Sequence, residues 1–411
     1  MSFNTIPILD LSLARSSETK ESFLDDLRHA LLEVGFFYIK NTGISSALIQ
    51  DVVEQGKAFF DLPLEKKLEV EMKNAPSFLG YNKLGMEITR FKIDWREQID
   101  ISTEHPVPGP DEPLYHNLLA PNQWPDPHAL PKFRPTYERY IQEMGDVSME
   151  FTSLIAEAVG LPRNAFDRFF DDAQQHKLKI VKYPDLEELG IEGEAQGVGP
   201  HKDSMLTSYL LQASHHKGLQ VQAPDGRWID CPPLDGTLVV AIGQGMQALT
   251  QGVCQSTTHR VLSPARGSGP RFSIPFFQGV SYDATFESMD VPESVKELRS
   301  RILEQRGERI DDIEFTFMSG RYHHLGEATL MNRIKSHPDV GEKFVCSPLD
   351  IFVPVAHAAC FYADIRQYPD LLKKIRRQQE QDQKQAGKAE PSEQELLDAA
   401  INVHSSVIEA H

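Results

Sequence analysis

The chain has 411 residues, 40% of them hydrophobic and 25% charged, which is ordinary for a globular protein with a sizeable core and room for two or three structural units. A formal charge of −18 opposes binding to phosphate backbones, so no nucleic-acid partner is expected. The four cysteines, Cys231, Cys254, Cys346 and Cys360, form no Cys-x-x-Cys pair, which argues against a zinc cluster or a disulfide framework; no signal core and no membrane-length apolar run is present, so a reducing, cytoplasmic location without a membrane partner is the expectation.

Ile6 to Asp10 opens the chain as a short apolar strand. From Glu21 to Val34, Leu24, Leu27 and Leu31 share one helical face, and Gly35 is a good helix stop. Phe36 to Lys40 reads as a strand, followed by a helix from about Ser46 to Phe60 that must end near Pro63. The stretch from Glu65 to Pro125 is mixed and loop-rich. A long helix follows, with Tyr137, Ile141, Met144, Phe151, Leu154 and Ile155 as its stripe, ending at Gly160-Leu161-Pro162. From about Lys177 to Tyr282 short β-like runs recur: Leu178 to Tyr183, Ser208 to Leu211, Leu219 to Val221, Leu238 to Ile242, His259 to Leu262 and Arg271 to Phe277. Turn residues such as Asp225-Gly226 and Asp235-Gly236 separate them, the spacing of a sandwich or jelly roll. Helix returns after Pro292, with Val295, Leu298 and Ile302 on one face. In the tail, Leu371 to Gln385 reads as a solvated helix or disorder and Ala386 to Pro391 as a linker. Leu396, Leu397, Ala400 and Ile401 then form an amphipathic stripe that packs on its own body, makes a homodimer contact or stays disordered.

The chemistry concentrates in the β-rich region. Residues i and i+2 of a strand share a face, so His201 and Asp203 can grip one ion, with His259 brought back by the fold. Two imidazoles and one carboxylate on one side of an iron leave open positions for oxygen and another ligand. Ser263 to Pro270 has loop chemistry. If the flanking strands pair as a hairpin, Arg271 lies opposite Leu262, about 10 Å from the metal end at ~3.3 Å per residue. A five-carbon keto diacid bridges that gap, with its distal carboxylate on the Arg271 guanidinium and Ser273 adding a bond from the same face. Chance alone yields about one His-x-Asp among fifteen histidines. A second copy, His337-Pro338-Asp339, lies in a loop-like stretch with no Arg-x-Ser after it. His215-His216-Lys217 reads as a solvated turn.

These motifs resemble the isopenicillin-N-synthase-like branch of the iron(II)- and 2-oxoglutarate-dependent dioxygenases. Besides the core set, Gly35 to Ile44, Phe59 to Pro63, Gly80-Tyr81, Asp94 to Glu97, Trp124-Pro125 and Lys182-Tyr183-Pro184 are similar to that family, over roughly residues 5 to 345. The resemblance implies an α+β fold with a double-stranded β-helix (jelly-roll) core flanked by helices. It divides the chain into an N-terminal lobe over 1–165, the iron- and 2-oxoglutarate-binding core over 166–285, a helical segment over 286–345 and an extra tail over 346–411. It implies iron on His201, Asp203 and His259, 2-oxoglutarate on Arg271, Ser273 and Tyr183, consumption of O2, and ascorbate as a reductant. The implied activity hydroxylates, desaturates or cyclises a small organic substrate, a specialised metabolite, with 2-oxoglutarate leaving as succinate. Two alternatives stay open: an oxidase of the same fold that uses oxygen without 2-oxoglutarate, and an inactive jelly-roll binding protein. The chain departs from the family at Asn41-Thr42-Gly43, at Lys182 before the tyrosine, and at Gly243-Gln244, where relatives often have Gly-Asp and where the change reads as structural.

Overall fold

The computed structural model describes residues 5–344 apart from 90–91, 173, 286 and 307–322. The tail stripes, Cys346 and Cys360 therefore lie outside the described residues. The elements below belong to one compact unit, Met1–Gly341.

In chain order these are β1 (Ile8–Asp10), α1 (Lys20–Glu33), β2 (Phe36–Lys40), α2 (Ser46–Phe60), α3 (Leu64–Leu68), β3 (Gly80–Asn82), β4 (Glu87–Thr89), β5 (Lys92–Asp94), β6 (Glu97–Ser102) and α4 (Phe133–Ala158). There follow β7 (Lys177–Tyr183), β8 (Gln196–His201), β9 (Thr207–Gln212), β10 (Leu219–Gln222), β11 (Trp228–Asp230), β12 (Thr237–Ile242), α5 (Gln244–Leu249), β13 (His259–Leu262), β14 (Arg271–Phe277), α6 (Glu293–Arg306) and α7 (Leu325–Ser336). The local signals explain most of the boundaries. The Ser45 side chain caps α2 by accepting from the Leu48 N–H at 3.2 Å. Gly35, at φ +64°, stops α1 where a Cβ would lie 1.6 Å from the Gln255 carbonyl oxygen.

Two sheets face each other. The larger runs β1-β2-β12-β9-β14-β7-β6-β3 and the smaller β11-β10-β13-β8. Val181, Tyr183, Val239 and Ala241 of the first pack with Val198, Leu219, Val221 and Val261 of the second, forming the interior of a jelly roll. The outer face of the larger sheet is covered by α1, α2 and α4, whose buried stripe of Tyr137, Met144, Phe151 and Ile155 joins Leu178, Ile180, Ile274 and Phe276 in one apolar cluster. Phe276 is thus the member of the Phe276-Phe277 pair committed to that core, beside Tyr209 and His176.

Two local expectations are corrected. β13 and β14 do not form a hairpin. β13 pairs with β8 and β10 in the smaller sheet, whereas β14 pairs with β7 and β9 in the larger. Both edges of β13 are already taken, and the loop over 263–270 crosses from one sheet to the other, so the spacing along a common hairpin does not apply to Arg271. Asp203, in turn, lies beyond the end of β8, which stops at His201. It sits in a turn anchored to the Gly243-Gln244 pair, where the Gln244 N–H donates to the Asp203 carbonyl at 2.8 Å and the Gly243 N–H to that of Leu206 at 2.9 Å. A Cβ on Gly243 would approach the Met205 carbonyl oxygen to 1.9 Å, so this pair has a structural part in shaping the turn.

Candidate metal centre and cosubstrate socket

His201 at the end of β8 and His259 at the start of β13 are register partners on adjacent antiparallel strands, with ring centroids 4.3 Å apart. The turn after β8 swings Asp203 in beside them. Its Oδ1 lies 3.7 Å from His201 Nε2 and 3.8 Å from His259 Nε2, and one donor atom from each of the three lies within 4.8 Å of the others. Among the described residues no other His, Cys, Asp or Glu group meets that condition. His337-Pro338-Asp339 is therefore no second centre, and His215-His216 lies in a loop as expected.

The tautomers follow from the second ring nitrogens. His201 Nδ1 meets the Gly199 carbonyl at 2.8 Å and His259 Nδ1 that of Thr257 at 3.1 Å. A carbonyl only accepts, so each Nδ1 carries the proton and each Nε2 offers its lone pair to the shared space. Burial, reinforced by the neighbouring His259, pushes His201 below the usual imidazole range, which favours the neutral ring. Ser208 Oγ donates to Asp203 Oδ2 and leaves Oδ1 facing the imidazoles.

Arg271, Ser273 and Tyr183 are likewise together. Arg271 pairs with Tyr183 across β14 and β7, its guanidinium carbon 5.0 Å from the tyrosine ring centroid. Ser273 Oγ donates to Tyr183 Oη at 3.4 Å. Arg271 is 1% exposed; its Nη2 donates to Gln212 Oε1 at 3.3 Å, while its buried Nε and Nη1 have no partner. Burial pushes its pKa below the usual arginine range, yet a guanidinium keeps its proton. A buried cation with unmet donors is costly and is satisfied by an acceptor arriving from outside the chain. The donor set thus fits a divalent iron, and the socket fits the carboxylate of a diacid.

The supporting side chains escaped the sequence reading. Ser208 and Gln212 come from β9, and nothing in their neighbourhood along the chain marks them. Asp94 opens the Asp94-to-Glu97 motif. Its Oδ1 accepts from the Gly199 N–H at 3.0 Å and from Gln196 Nε2 at 2.8 Å, and its Oδ2 accepts from Thr89 Oγ1 at 2.7 Å, fixing the strand that ends in His201. In Lys92-Ile93-Asp94-Trp95-Arg96 the aspartate occupies a regular polar position of an alternating stretch, so nothing local marks it.

Residues 175–280 match the 2OG-Fe(II) oxygenase superfamily and residues 6–127 match a family described as non-haem dioxygenase in morphine synthesis N-terminal. The chain is 70% identical to the 2-oxoglutarate-dependent dioxygenase frbJ of Dothideomycetidae sp., over 93% of this chain and 97% of the relative. The chain belongs to the iron(II)- and 2-oxoglutarate-dependent dioxygenases. A 2-oxoglutarate-dependent dioxygenase of Gibberella zeae is 37% identical over 83% of this chain and 91% of its own length. Among solved structures, the full-length Neurospora crassa protein in complex with alpha-KG and thymine superposes with a TM-score of 0.60 at 28% identity, covering 73% of this chain and 97% of that one. Fold class, enzyme class, iron and 2-oxoglutarate thus stand as the sequence implied for this dioxygenase. No helix of the described residues is long and apolar enough to cross a membrane.

Proposed function

We propose that in this dioxygenase His201, Asp203 and His259 hold the iron, that Arg271, Ser273 and Tyr183 hold the distal carboxylate of 2-oxoglutarate, and that the substrate is a small organic molecule of specialised metabolism. The observation that carries the reading is the buried Arg271 guanidinium with two unmet donors, on the interior of the same jelly roll that gathers the three ligand side chains. Iron(II) and 2-oxoglutarate, when bound, supply the oxidising chemistry: O2 is reduced, the diacid leaves as succinate and carbon dioxide, and a C–H bond of the substrate is oxidised. The protein's own groups orient and enclose. The two Nδ1–H bonds aim the imidazoles, Ser208 aims the carboxylate, and Arg271 fixes the diacid with two parallel charge-assisted bonds. No protein general base is required.

The core over 166–285 carries these groups. A small-molecule substrate is supported by the Neurospora crassa relative, which was solved with thymine. The test is substrate-dependent release of succinate with matched oxygen consumption across a small-molecule panel. Product formed without succinate selects the oxidase alternative, in which Arg271 holds the substrate's own carboxylate. Failure to consume oxygen with any candidate counts against both enzyme readings and selects the binding protein that does not turn over.

A further inference from the structure

The interior face of the larger sheet continues past the cosubstrate socket into a charged strip. Across β9, β14, β7 and β6 the register sets Ser208, Phe277, Lys177 and Ser102 in one row. Phe277 lies an even number of residues from Arg271 and Ser273, so the row shares their face. Ser208 holds the Asp203 carboxylate. Lys177 is two strands away, which at ~4.8 Å per strand sets its backbone about 10 Å from that of Ser208.

The ions around Lys177 do not balance. Lys179 Nζ lies 3.5 Å from both Asp100 Oδ2 and Glu87 Oε1, and Arg333 of α7 reaches Asp100 Oδ2 at 3.0 Å. Arg96 reaches Glu87 Oε2 at 2.7 Å and Asp94 Oδ2 at 3.5 Å. The three carboxylates Glu87, Asp94 and Asp100 are thus matched by Arg96, Lys179 and Arg333, and Lys177 is the surplus cation. Its Nζ donates to the Leu118 carbonyl at 2.7 Å, and among the described residues no carboxylate pairs with it. Burial, with Arg333 adding repulsion, pushes its pKa down to about 7. A positive surplus inside a chain of net charge −18 marks a place where an anion from outside is favoured.

We propose that the substrate carries a carboxylate that docks between Lys177 and Arg333, and that these two residues decide which C–H bond is presented to the iron. The anchor lies on the side of the centre away from the Arg271 socket, so substrate and cosubstrate anions occupy separate cationic sites on one face. This deepens the function proposed above and rests on it.

The test uses the full-length protein loaded anaerobically with iron(II) and 2-oxoglutarate. The probes are N-acetyl amino acids with apolar side chains, each paired with its methyl ester. Binding is read as perturbation of the visible charge-transfer absorption of the iron–diacid complex, and turnover as succinate release. At least one acid is expected to bind about 10- to 100-fold more tightly than its ester. Lys177→Met and Arg333→Gln should each bring that ratio near one while 2-oxoglutarate affinity stays unchanged. Arg333→Gln removes a partner of Asp100, so Lys177→Met, which breaks no ion pair, decides the matter should the other variant fail to fold. Equal responses to acids and esters, including none to either, overturn the anchor, as does an acid preference that survives Lys177→Met. Absence of the charge-transfer absorption in the wild-type protein overturns the proposed function itself, and the anchor with it.

Discussion

Arg271 and Tyr183 face one another in register on neighbouring strands, with the guanidinium lying over the phenol ring at 5.0 Å. The ring's electron-rich face eases the burial of the cation and leaves Nε and Nη1 with their hydrogen-bonding capacity unmet. Nη2 keeps a second N–H beside its bond to Gln212, and that N–H forms a planar fork with Nη1 or with Nε that is preorganised for a carboxylate.

Arg271→Gln should therefore weaken 2-oxoglutarate by about 100-fold, the equivalent of roughly 3 kcal/mol for a lost charge-assisted pair, with iron affinity unchanged. Tyr183→Phe should weaken it by only about 5-fold, since one neutral bond is worth ~1 kcal/mol. Anaerobic titrations of each variant with iron and with the diacid separate the two ligands.

Asp203→Ala removes the single carboxylate beside His201 and His259 and should abolish stoichiometric iron binding. Ser208 touches no imidazole but donates to Asp203 Oδ2. Ser208→Ala should lower iron affinity about 10-fold, the usual order for a residue that orients a ligand. Metal content after equilibrium dialysis reads both effects.

His176 gives the fold an acid limit. It is 1% exposed; its Nδ1 accepts from the Gly279 N–H at 3.1 Å, and its Nε2 meets Gln174 Oε1 at 2.8 Å, so the neutral ring is the form in use. Burial pushes it down to about 4. Below about pH 6.5 the unfolded chain takes up a proton that the folded one refuses, so the stabilisation is complete above that pH and lost as the pH falls towards 4. Urea unfolding should show a loss of about 2 kcal/mol from this group between pH 7 and pH 5, and His176→Gln should flatten that slope.

Asp94 is fully buried, and it accepts from Gly199, Gln196 and Thr89 while lying 3.5 Å from Arg96. Asp94→Ala leaves the buried Arg96 with Glu87 as its one close carboxylate, at 2.7 Å, and frees the strand carrying His201. Stability should drop by about 3 kcal/mol, visible as a lower melting temperature, with weakened iron binding in the fraction that folds.

The legible parts of the molecule were those whose signal is local. Helix α2 begins after its capping serine and ends ahead of Pro63, and β2 spans the residues its run of aromatic and β-branched side chains implied. β6 was not legible. Its Glu97, Gln98 and Asp100 look like surface residues, yet every residue of the strand is buried because Lys67, Lys182, Lys179 and Arg333 arrive from other elements to pair with them. The same non-local cause misled the placement of Arg271: neighbouring runs along a chain suggest a hairpin, whereas here the loop between β13 and β14 changes sheets. The identities of the gathered side chains were readable because His-x-Asp, His and Arg-x-Ser coincide in one β-rich region. Ser208 and Gln212 were not, since only the register of β9 brings them to the site.

The most direct test is a crystal grown anaerobically with iron(II) and 2-oxoglutarate, with the metal located by anomalous diffraction at the iron edge. One iron is expected on the Nε2 atoms of His201 and His259 and a carboxylate oxygen of Asp203, with the distal carboxylate of the diacid paired to Arg271. An iron bound elsewhere, or a diacid that leaves the Arg271 guanidinium unpaired, would contradict this assignment.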